Sequence, residues 1–165
     1  MNPYRDAEVF ALCQKFYNQF YNDTQPRKMI LGINPGRLGG GITGIPFTDP
    51  VKLEKNCDIP NSLPKKTELS ADFIYSMIDS NGGPQAFYSK FFISAVCPLG
   101  FTQNGNNLNY YDNKVLENTV EKFIITSLHK QLNFSIDSTV CYCLGEGKNY
   151  AYFNKLNAEH GFFKK

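Results

Sequence analysis

The sequence predicts an α/β protein, a three-layer α/β/α sandwich built on a short, mostly parallel sheet. Three short apolar runs, typical of strands buried on both faces, alternate with segments whose apolar residues recur every three or four positions. Strands that alternate with helices imply crossover connections, which join parallel strands. At 165 residues, 42% of them hydrophobic, the chain suits one domain over residues 1–165.

The helical periodicity predicts four main helices. Thr67 and Asp112 are the expected N-caps of the second and third, because short polar side chains accept bonds from the first free N–H groups. Glycines end the second and fourth, where a left-handed residue commonly terminates a helix. The predicted helices span Pro3–Tyr21, 67–81, 112–131 and 149–160.

The predicted strands are Met29–Ile33, Phe91–Val96 and the segment STVCYCLG at 138–145. A helical turn is expected just before the second strand. Between the first strand and the second helix, residues 51–66 are mixed, and Pro60 and Pro64 exclude a long helix there. The asparagine-rich stretch TQNGNNLNYYD after the second strand is predicted to be a loop.

The segment Leu31–Pro50 is the expected floor of a pocket. It contains six glycines and three prolines in twenty residues, and a long loop in a small domain is usually functional. In parallel α/β sheets, ligands bind beyond the carboxyl ends of the strands. We therefore expect Leu31–Pro50, Cys97–Asn107 and Gly145–Lys148 to converge there.

Composition excludes several classes of function. A net charge of +2 and a pI near 8.2 are too mild to indicate nucleic-acid binding by themselves. The N-terminal segment has no uninterrupted apolar core, so neither a signal peptide nor a membrane span is expected, and the predicted location is cytoplasmic. Five cysteines without a CxxC pair argue against a disulfide framework or a zinc site, and no metal or cofactor is expected.

The glycine-rich loop carries a recognisable motif. The sequence GINPG, followed by a glycine run and TGIPF, resembles the first active-site motif of the uracil-DNA glycosylase superfamily. With SAVCPLGF and LGEGKNYAYFNKLN, it is most similar to the bacterial second subfamily of the single-strand-selective monofunctional branch, from about Lys28 onward. The dinucleotide motif GxGxxG opening into a helix and the Walker motif are both absent.

The resemblance implies a monomeric, cofactor-free hydrolase of base-excision repair that removes a damaged base from single- or double-stranded DNA. Asn34 matches the asparagine that positions the attacking water in the family. Backbone N–H groups around Ile33 and Gly36 are candidates to stabilise the leaving base, and Phe47 fills the position that stacks on it. Without the joint motif, an asparagine in NPG is commonly a turn former and such a phenylalanine commonly core.

Arg37 and Lys148 are weaker candidates, as contacts to DNA phosphates. Exposed single cations are more often surface residues than ligands of phosphate. No lysine in the motif suggests a Schiff-base lyase step, so the expected enzyme is monofunctional.

Two departures from the family pattern affect the expected chemistry. Relatives that read uracil with a side-chain amide carry asparagine where this chain has Ala95, and Ser94 faces the other side of the strand unless a bulge turns it. Base choice is therefore open among uracil, xanthine and hypoxanthine. The family's second motif, histidine followed by proline, is missing, and neither His129 nor His160 is followed by proline.

The chain ends about where the family would enter a fourth strand, so a C-terminal truncation that removes the last strand is expected. Two other functions stay open. One is a non-catalytic module that binds nucleotide or single-stranded DNA. The other is a nucleotide-dependent α/β protein that uses the glycine loop and GEGK to hold phosphate.

Overall fold

A computed structural model describes residues 2–145 and 147–165 of the chain. A short 3₁₀ turn at Pro3–Arg5 precedes the first helix. The helices and strands, in chain order, are α1 Ala7–Tyr21, β1 Arg27–Gly32, α2 Gly40–Thr43, α3 Pro50–Lys55, α4 Leu69–Ser80, α5 Gly83–Tyr88, β2 Phe91–Ala95, β3 Phe101–Gln103, β4 Asn106–Leu108, α6 Lys114–Leu132, β5 Ile136–Cys143 and α7 Lys148–His160.

These elements fall into two compact units. The first contains the residues up to Asp23, Pro35–Ser89 and Leu99–Asn107. The second contains Thr24–Asn34, Lys90–Pro98 and Leu108–Lys165. Each unit is built from distant stretches of sequence, so its core depends on long-range contacts.

The second unit contains the predicted parallel sheet, in the order β2-β1-β5. β1 is its central strand, and the side chains of Met29 and Leu31 are fully buried. Burial on both faces of the sheet explains the continuous apolar run in the sequence of this strand. At the outer edge of β5, the N–H of Lys164 donates to the carbonyl of Ser138, and the N–H of Cys141 donates to the carbonyl of Lys165. Lys164 and Lys165 therefore pair with the edge strand β5.

Helices α6 and α7 both contact β5 in the second unit. The periodicity predicts an apolar stripe on α6 that includes Val115 and Phe123, but only Val120, Ile124 and Leu128 of that stripe are buried, whereas Val115 and Phe123 are exposed. Gly161 ends α7 with a φ of 64°, as expected for a terminating glycine.

The first unit has a core rich in aromatic side chains. Phe16 and Phe20 of α1 pack against Tyr88 of α5, with ring centroids 5.3 and 4.8 Å away. The hydroxyl of Tyr75, on α4, lies 3.0 Å from Thr48 Oγ1 and 3.1 Å from Cys57 Sγ. Buried phenols need such partners, because an unpaired buried hydroxyl is costly.

Two predicted caps are wrong by one residue. The N-cap of α4 is Glu68 rather than Thr67, and its own N–H donates to Asp49 Oδ2 instead of the helix being capped by a hydroxyl. The N-cap of α6 is Asn113 rather than Asp112, because Asn113 Oδ1 accepts from the N–H groups of Val115 and Leu116 in the first turn of the helix. Asp112 instead accepts from the N–H of Asn109.

Four short elements were not predicted. The stretch expected to be a loop after β2 contains the hairpin β3–β4, whose turn residues Asn104 and Gly105 have φ values of 50° and 78°. Asn-Gly is the preferred sequence for such a left-handed turn, so the signal was present. The other two are α2, inside the glycine-rich loop, and α3, which Asp49 caps through Val51 and Lys52.

Gly44 ends α2 and is held closely by α1 and the residues before it. Its carbonyl accepts a 2.7 Å bond from the hydroxyl of Tyr4, and the neighbouring carbonyl of Thr43 accepts from Cys13 Sγ. Its φ is 74°, and an added Cβ would lie 2.7 Å from Cys13 Sγ and 2.8 Å from the Tyr4 ring. Only glycine fits both the backbone conformation and the space.

We predict that Gly44→Ala destabilises the protein more than Gly105→Ala. Both glycines have positive φ, but nothing lies within 4 Å of a Cβ at Gly105. Gly105→Ala should therefore cost about 1–2 kcal/mol of unfolding free energy from backbone conformation alone. Gly44→Ala should add roughly 1–3 kcal/mol from overpacking. Urea denaturation measures both, and equal losses would contradict the assigned contacts.

Candidate active site

Asn34 lies in the second unit, two residues beyond the end of β1, and both ends of its side-chain amide are bonded to backbone. Its Nδ2 donates to the carbonyl of Leu108 at 3.3 Å, and its Oδ1 accepts from the N–H of Tyr110 at 3.1 Å. Exchanging the nitrogen and oxygen would set donor against donor and acceptor against acceptor. The surrounding backbone therefore fixes which way the amide faces.

This arrangement leaves the amide with capacity to bind a ligand. A side-chain amide has two N–H donors and an oxygen with two lone pairs, and the two backbone bonds use one of each. One donor and one lone pair stay available, and the side chain is only partly buried. Asn34 is thus an oriented polar group able to hold a water molecule.

Ile33 is tied to both neighbouring strands of the sheet. Its carbonyl accepts from the N–H of Cys97, just beyond β2. Its side chain lies beside Gly145, where an added Cβ would come within 3.3 Å of it, and Gly145 has a φ of 92°. The segments that follow β1, β2 and β5 in this unit therefore meet, as expected. Glu146, within the predicted GEGK loop, lies outside the described residues.

Gly36 and Gly39, in the first unit, pack against the carboxylate of Glu68. A Cβ added at Gly36 would lie 1.9 Å from Glu68 Oε1, and one at Gly39 would lie 2.0 Å from Oε2. Burial raises the pKa of Glu68, the nearby charge of Asp49 raises it further, and a bond from Ser70 opposes both. A phosphate against these glycines would meet a carboxylate, which disfavours the nucleotide-phosphate hypothesis.

The two candidate cations are both exposed. The N–H of Arg37 donates to Asn107 Oδ1 at 2.9 Å, so its backbone is held by the β3–β4 hairpin. Lys148 is the first residue of α7. Contact of either side chain with DNA stays a prediction.

Phe47, also in the first unit, has a strained backbone. Its φ of 54° is unusual for a bulky residue, and such strain persists only where the surroundings impose it. Those surroundings are visible on both sides: Thr43 Oγ1 donates to the carbonyl of Thr48 at 2.5 Å, and Asp49 caps α3. Strained residues cluster at functional sites, which agrees with a ligand-contacting role for the half-buried ring.

Comparison with known proteins identifies the family of the chain. The model of the family described as "Uracil DNA glycosylase superfamily" matches residues 19–162. The chain belongs to the uracil-DNA glycosylase superfamily. A solved structure titled "The crystal structure of WT Pedobacter heparinus SMUG2" matches with a TM-score of 0.93 and 49% sequence identity, covering 99% of this chain and 73% of that one. None of the curated proteins compared with the chain matches it significantly.

Membership confirms the family predicted from the motifs and the α/β fold class with its parallel sheet. It supports a uracil-DNA glycosylase function, with DNA as the partner. The roles of the individual residues are not tested by the match.

The end of β2, where the sequence motif places an asparagine in uracil-reading relatives, is a regular strand in this chain. Ser94 pairs with Leu31 and Ala95 pairs with Gly32, with no bulge between β1 and β2. Ser94 therefore shares a face with Leu31, opposite to Ala95, and both side chains are buried. No bulge turns Ser94 toward the position that asparagine holds in uracil-reading relatives.

Other groups in the described residues do not join the site. His129 and His160 both contact the ring of Phe162 at the C-terminal ends of α6 and α7. A surface hollow between α1 and residues 60–62 contains none of the predicted site residues. Over residues 2–145 and 147–165, no three His, Cys, Asp or Glu side chains are grouped to hold a metal ion. No helix in that part of the chain is long and apolar enough to span a membrane.

Sequence reasoning missed Tyr110 and Glu68. Tyr110 lies within the asparagine-rich segment predicted to be a loop, and no motif marks its contact with Asn34, 76 residues away. Glu68 read only as part of a helix start. Glycines at 36 and 39 signal a close approach by some group, but only the structure shows which.

We predict that Gly36→Ala destabilises the protein and that Glu68→Ala removes most of this cost. The new methyl group must displace the Glu68 carboxylate, so overpacking should cost roughly 1–3 kcal/mol of unfolding free energy. In the Glu68→Ala background, the coupling energy of the double-mutant cycle should be about 0.5–3 kcal/mol.

Gly40→Ala is the control for this cycle. A Cβ there meets the carbonyl oxygen of Ile45 at 3.1 Å and Pro35, not Glu68. Its cost in chemical denaturation should be the same with and without Glu68. Equal coupling of Glu68 to Gly36 and Gly40 would refute the assigned contact.

Proposed function

We propose that this protein is a monofunctional DNA glycosylase of base-excision repair. It flips a deaminated base such as uracil, xanthine or hypoxanthine out of DNA and hydrolyses its N-glycosidic bond. The observation that carries the proposal is the Asn34 amide, which the backbone of Leu108 and Tyr110 orients, in a residue that matches the family's water-positioning asparagine in the sequence motif. Family membership and the 49% identical solved neighbour support the same reaction class.

The proposed chemistry needs orientation of a water more than a strong base. Cleavage of the C1′–N bond gives the sugar oxocarbenium character, as in glycoside hydrolysis, while the base departs with the bonding electrons. Water adds its oxygen to C1′, and its proton is released to neutralise the departing base. A neutral amide suffices for this task, because a strongly electrophilic carbon requires the water to be placed correctly. The free lone pair of Asn34 Oδ1 accepts an O–H of that water.

The leaving base needs donors and a stacking surface. We assign the backbone N–H groups of Ile33 and Gly36 as the donors, since developing negative charge is stabilised by preoriented dipoles. The Ile33 N–H shares its peptide plane with the carbonyl of Gly32, which accepts a 2.9 Å bond from the N–H of Val96, so the direction of this donor is fixed by the sheet. Phe47 replaces part of the stacking that a flipped base loses.

Base selection is assigned to backbone groups. Ala95 offers no hydrogen-bonding side chain, so discrimination among uracil, xanthine and hypoxanthine cannot use an amide at that position.

The proposal is tested by incubating the chain with single- and double-stranded oligonucleotides that each carry one uracil, hypoxanthine or xanthine. Alkaline cleavage then reveals abasic sites, which we expect for at least one of these bases. Binding in a gel-shift assay without abasic product would instead identify a non-catalytic module.

Asn34→Ala should lower the single-turnover rate by at least about 10²-fold, because a misplaced water lacks the reactive geometry. Asn61→Ala is the matched control, since Asn61 Nδ2 also donates to backbone carbonyls, at 3.0 and 3.3 Å. Each variant should lose about 1 kcal/mol of stability per broken bond, but only Asn34→Ala should lose activity. Equal rates in the two variants would refute the role of Asn34.

Phe47→Ala should weaken binding of the damaged oligonucleotide by about 1–3 kcal/mol, the usual value of stacking one base on an aromatic ring. Phe47→Tyr keeps the ring and should bind normally. Fluorescence anisotropy measures both affinities. Unchanged affinity for Phe47→Ala would show that the ring does not stack on the base.

A further inference from the structure

The candidate water-positioning residue belongs to a larger hydrogen-bonded circuit. Tyr110, whose N–H holds Asn34 Oδ1, has a fully buried side chain. Its hydroxyl donates to Asn149 Oδ1 at 2.8 Å. Burial raises the pKa of Tyr110, so the phenol remains a donor at neutral pH.

Asn149, the second residue of α7, continues the circuit. Its side chain is fully buried, and its Nδ2 donates to the carbonyl of Leu144 at 2.9 Å and lies 3.3 Å from Cys143 Sγ. The N–H of Leu144 in turn donates to the carbonyl of Leu31 at 2.7 Å, three residues before Asn34. The bonds therefore start at Asn34 and return to the strand that carries it.

A closed circuit constrains Asn34 more than two bonds do. The buried ring of Tyr110 holds the backbone of that residue in place, and the hydroxyl of the ring is bonded to Asn149. Asn149 is bonded to Leu144, which is itself bonded to β1. Asn34 is thus fixed relative to the sheet from both directions, along the chain and through the circuit. Buried polar networks with every member satisfied rigidify their surroundings.

Packing alone does not account for these two side chains. A buried amide and phenol each have to recover the hydration lost on folding, and apolar residues of similar shape avoid that cost. The ring of Tyr110 already packs edge-on against Tyr111 and Tyr152, with centroids 5.0 Å away in both cases. Phenylalanine would keep those contacts, so the hydroxyl contributes specifically to the circuit.

We infer that Tyr110 and Asn149 are positioning residues that hold the amide of Asn34 in its reactive orientation. The inference rests on the proposed glycosylase function of Asn34. Both side chains are fully buried, so the expected effect is on the chemical step and not on DNA binding.

The first test is Tyr110→Phe, which removes one oxygen atom. With enzyme in saturating excess over the damaged oligonucleotide, the single-turnover rate should fall about 10- to 10²-fold, because small misplacement of a catalytic group has effects of this size. The dissociation constant for the same oligonucleotide should change less than about twofold, since uniform binding is untouched. Tyr152→Phe, a hydroxyl loss in the same aromatic cluster but outside the circuit, should leave both values unchanged.

The second variant is Asn149→Asp, which keeps the acceptor for Tyr110 but loses the donor to Leu144. It should reduce the rate as well. Combining it with Tyr110→Phe should give little further loss, because members of one circuit act non-additively. If one of the two single variants fails to fold, the other still tests the inference.

A readout independent of activity separates this inference from the proposed function. The side-chain amide resonances of Asn34 in a ¹⁵N–¹H NMR spectrum should move in Tyr110→Phe and stay in place in Tyr152→Phe. Unmoved resonances together with an unchanged rate would overturn the inference. If the unmodified chain forms no abasic sites, the glycosylase proposal fails, while the spectrum still decides whether Tyr110 orients Asn34.

Discussion

The carboxyl end of β1 is the constraint on which the candidate site depends. Three consecutive carbonyls there, of Leu31, Gly32 and Ile33, accept bonds from Leu144, Val96 and Cys97. Each would cost about 1–3 kcal/mol if it were buried without a partner, so the central strand must be bonded on both sides. The next residue is Asn34, whose side chain is then held by Leu108 and Tyr110. The central strand β1, which is bonded to both neighbouring strands, therefore also fixes the position of the proposed catalytic amide.

The glycine-rich segment after Asn34 serves a different physical purpose. Its glycines do not line an open cavity that could hold phosphate, because Gly36 and Gly39 pack against the carboxylate of Glu68. Gly44 accommodates Cys13 of α1 and Tyr4 of the 3₁₀ turn that precedes α1. Small residues here allow the loop to be packed tightly. In the same segment Phe47 has a φ of 54°, and the bond from Thr43 Oγ1 to the carbonyl of Thr48 and the cap formed by Asp49 fix the backbone beside it. A backbone held in this way suits the proposed role of receiving a flipped base.

Much of the fold and part of the site follow from local sequence. The main helices and the three parallel strands have a clear pattern of apolar residues. That pattern can be recognised within each segment, because it reflects which residues of the segment are buried and does not require the rest of the fold to be known. The errors lie where two neighbouring polar residues compete for one cap, as Asp112 and Asn113 do, because tertiary contacts decide such cases. The hairpin at Asn104 and Gly105 had a recognisable turn signal that composition alone obscured.

The sequence by itself determined the family, the α/β class and the identity of Asn34 and Phe47 as candidates, because these depend on residue types at fixed short spacings. Only the tertiary structure showed that Asn34 is oriented by Tyr110, that Asn149 lies behind Tyr110, and that Glu68 fills the space beside Gly36. These contacts join residues 32 to 76 positions apart. Such contacts leave no periodic trace in the sequence, since each depends on how separate segments pack in the folded chain.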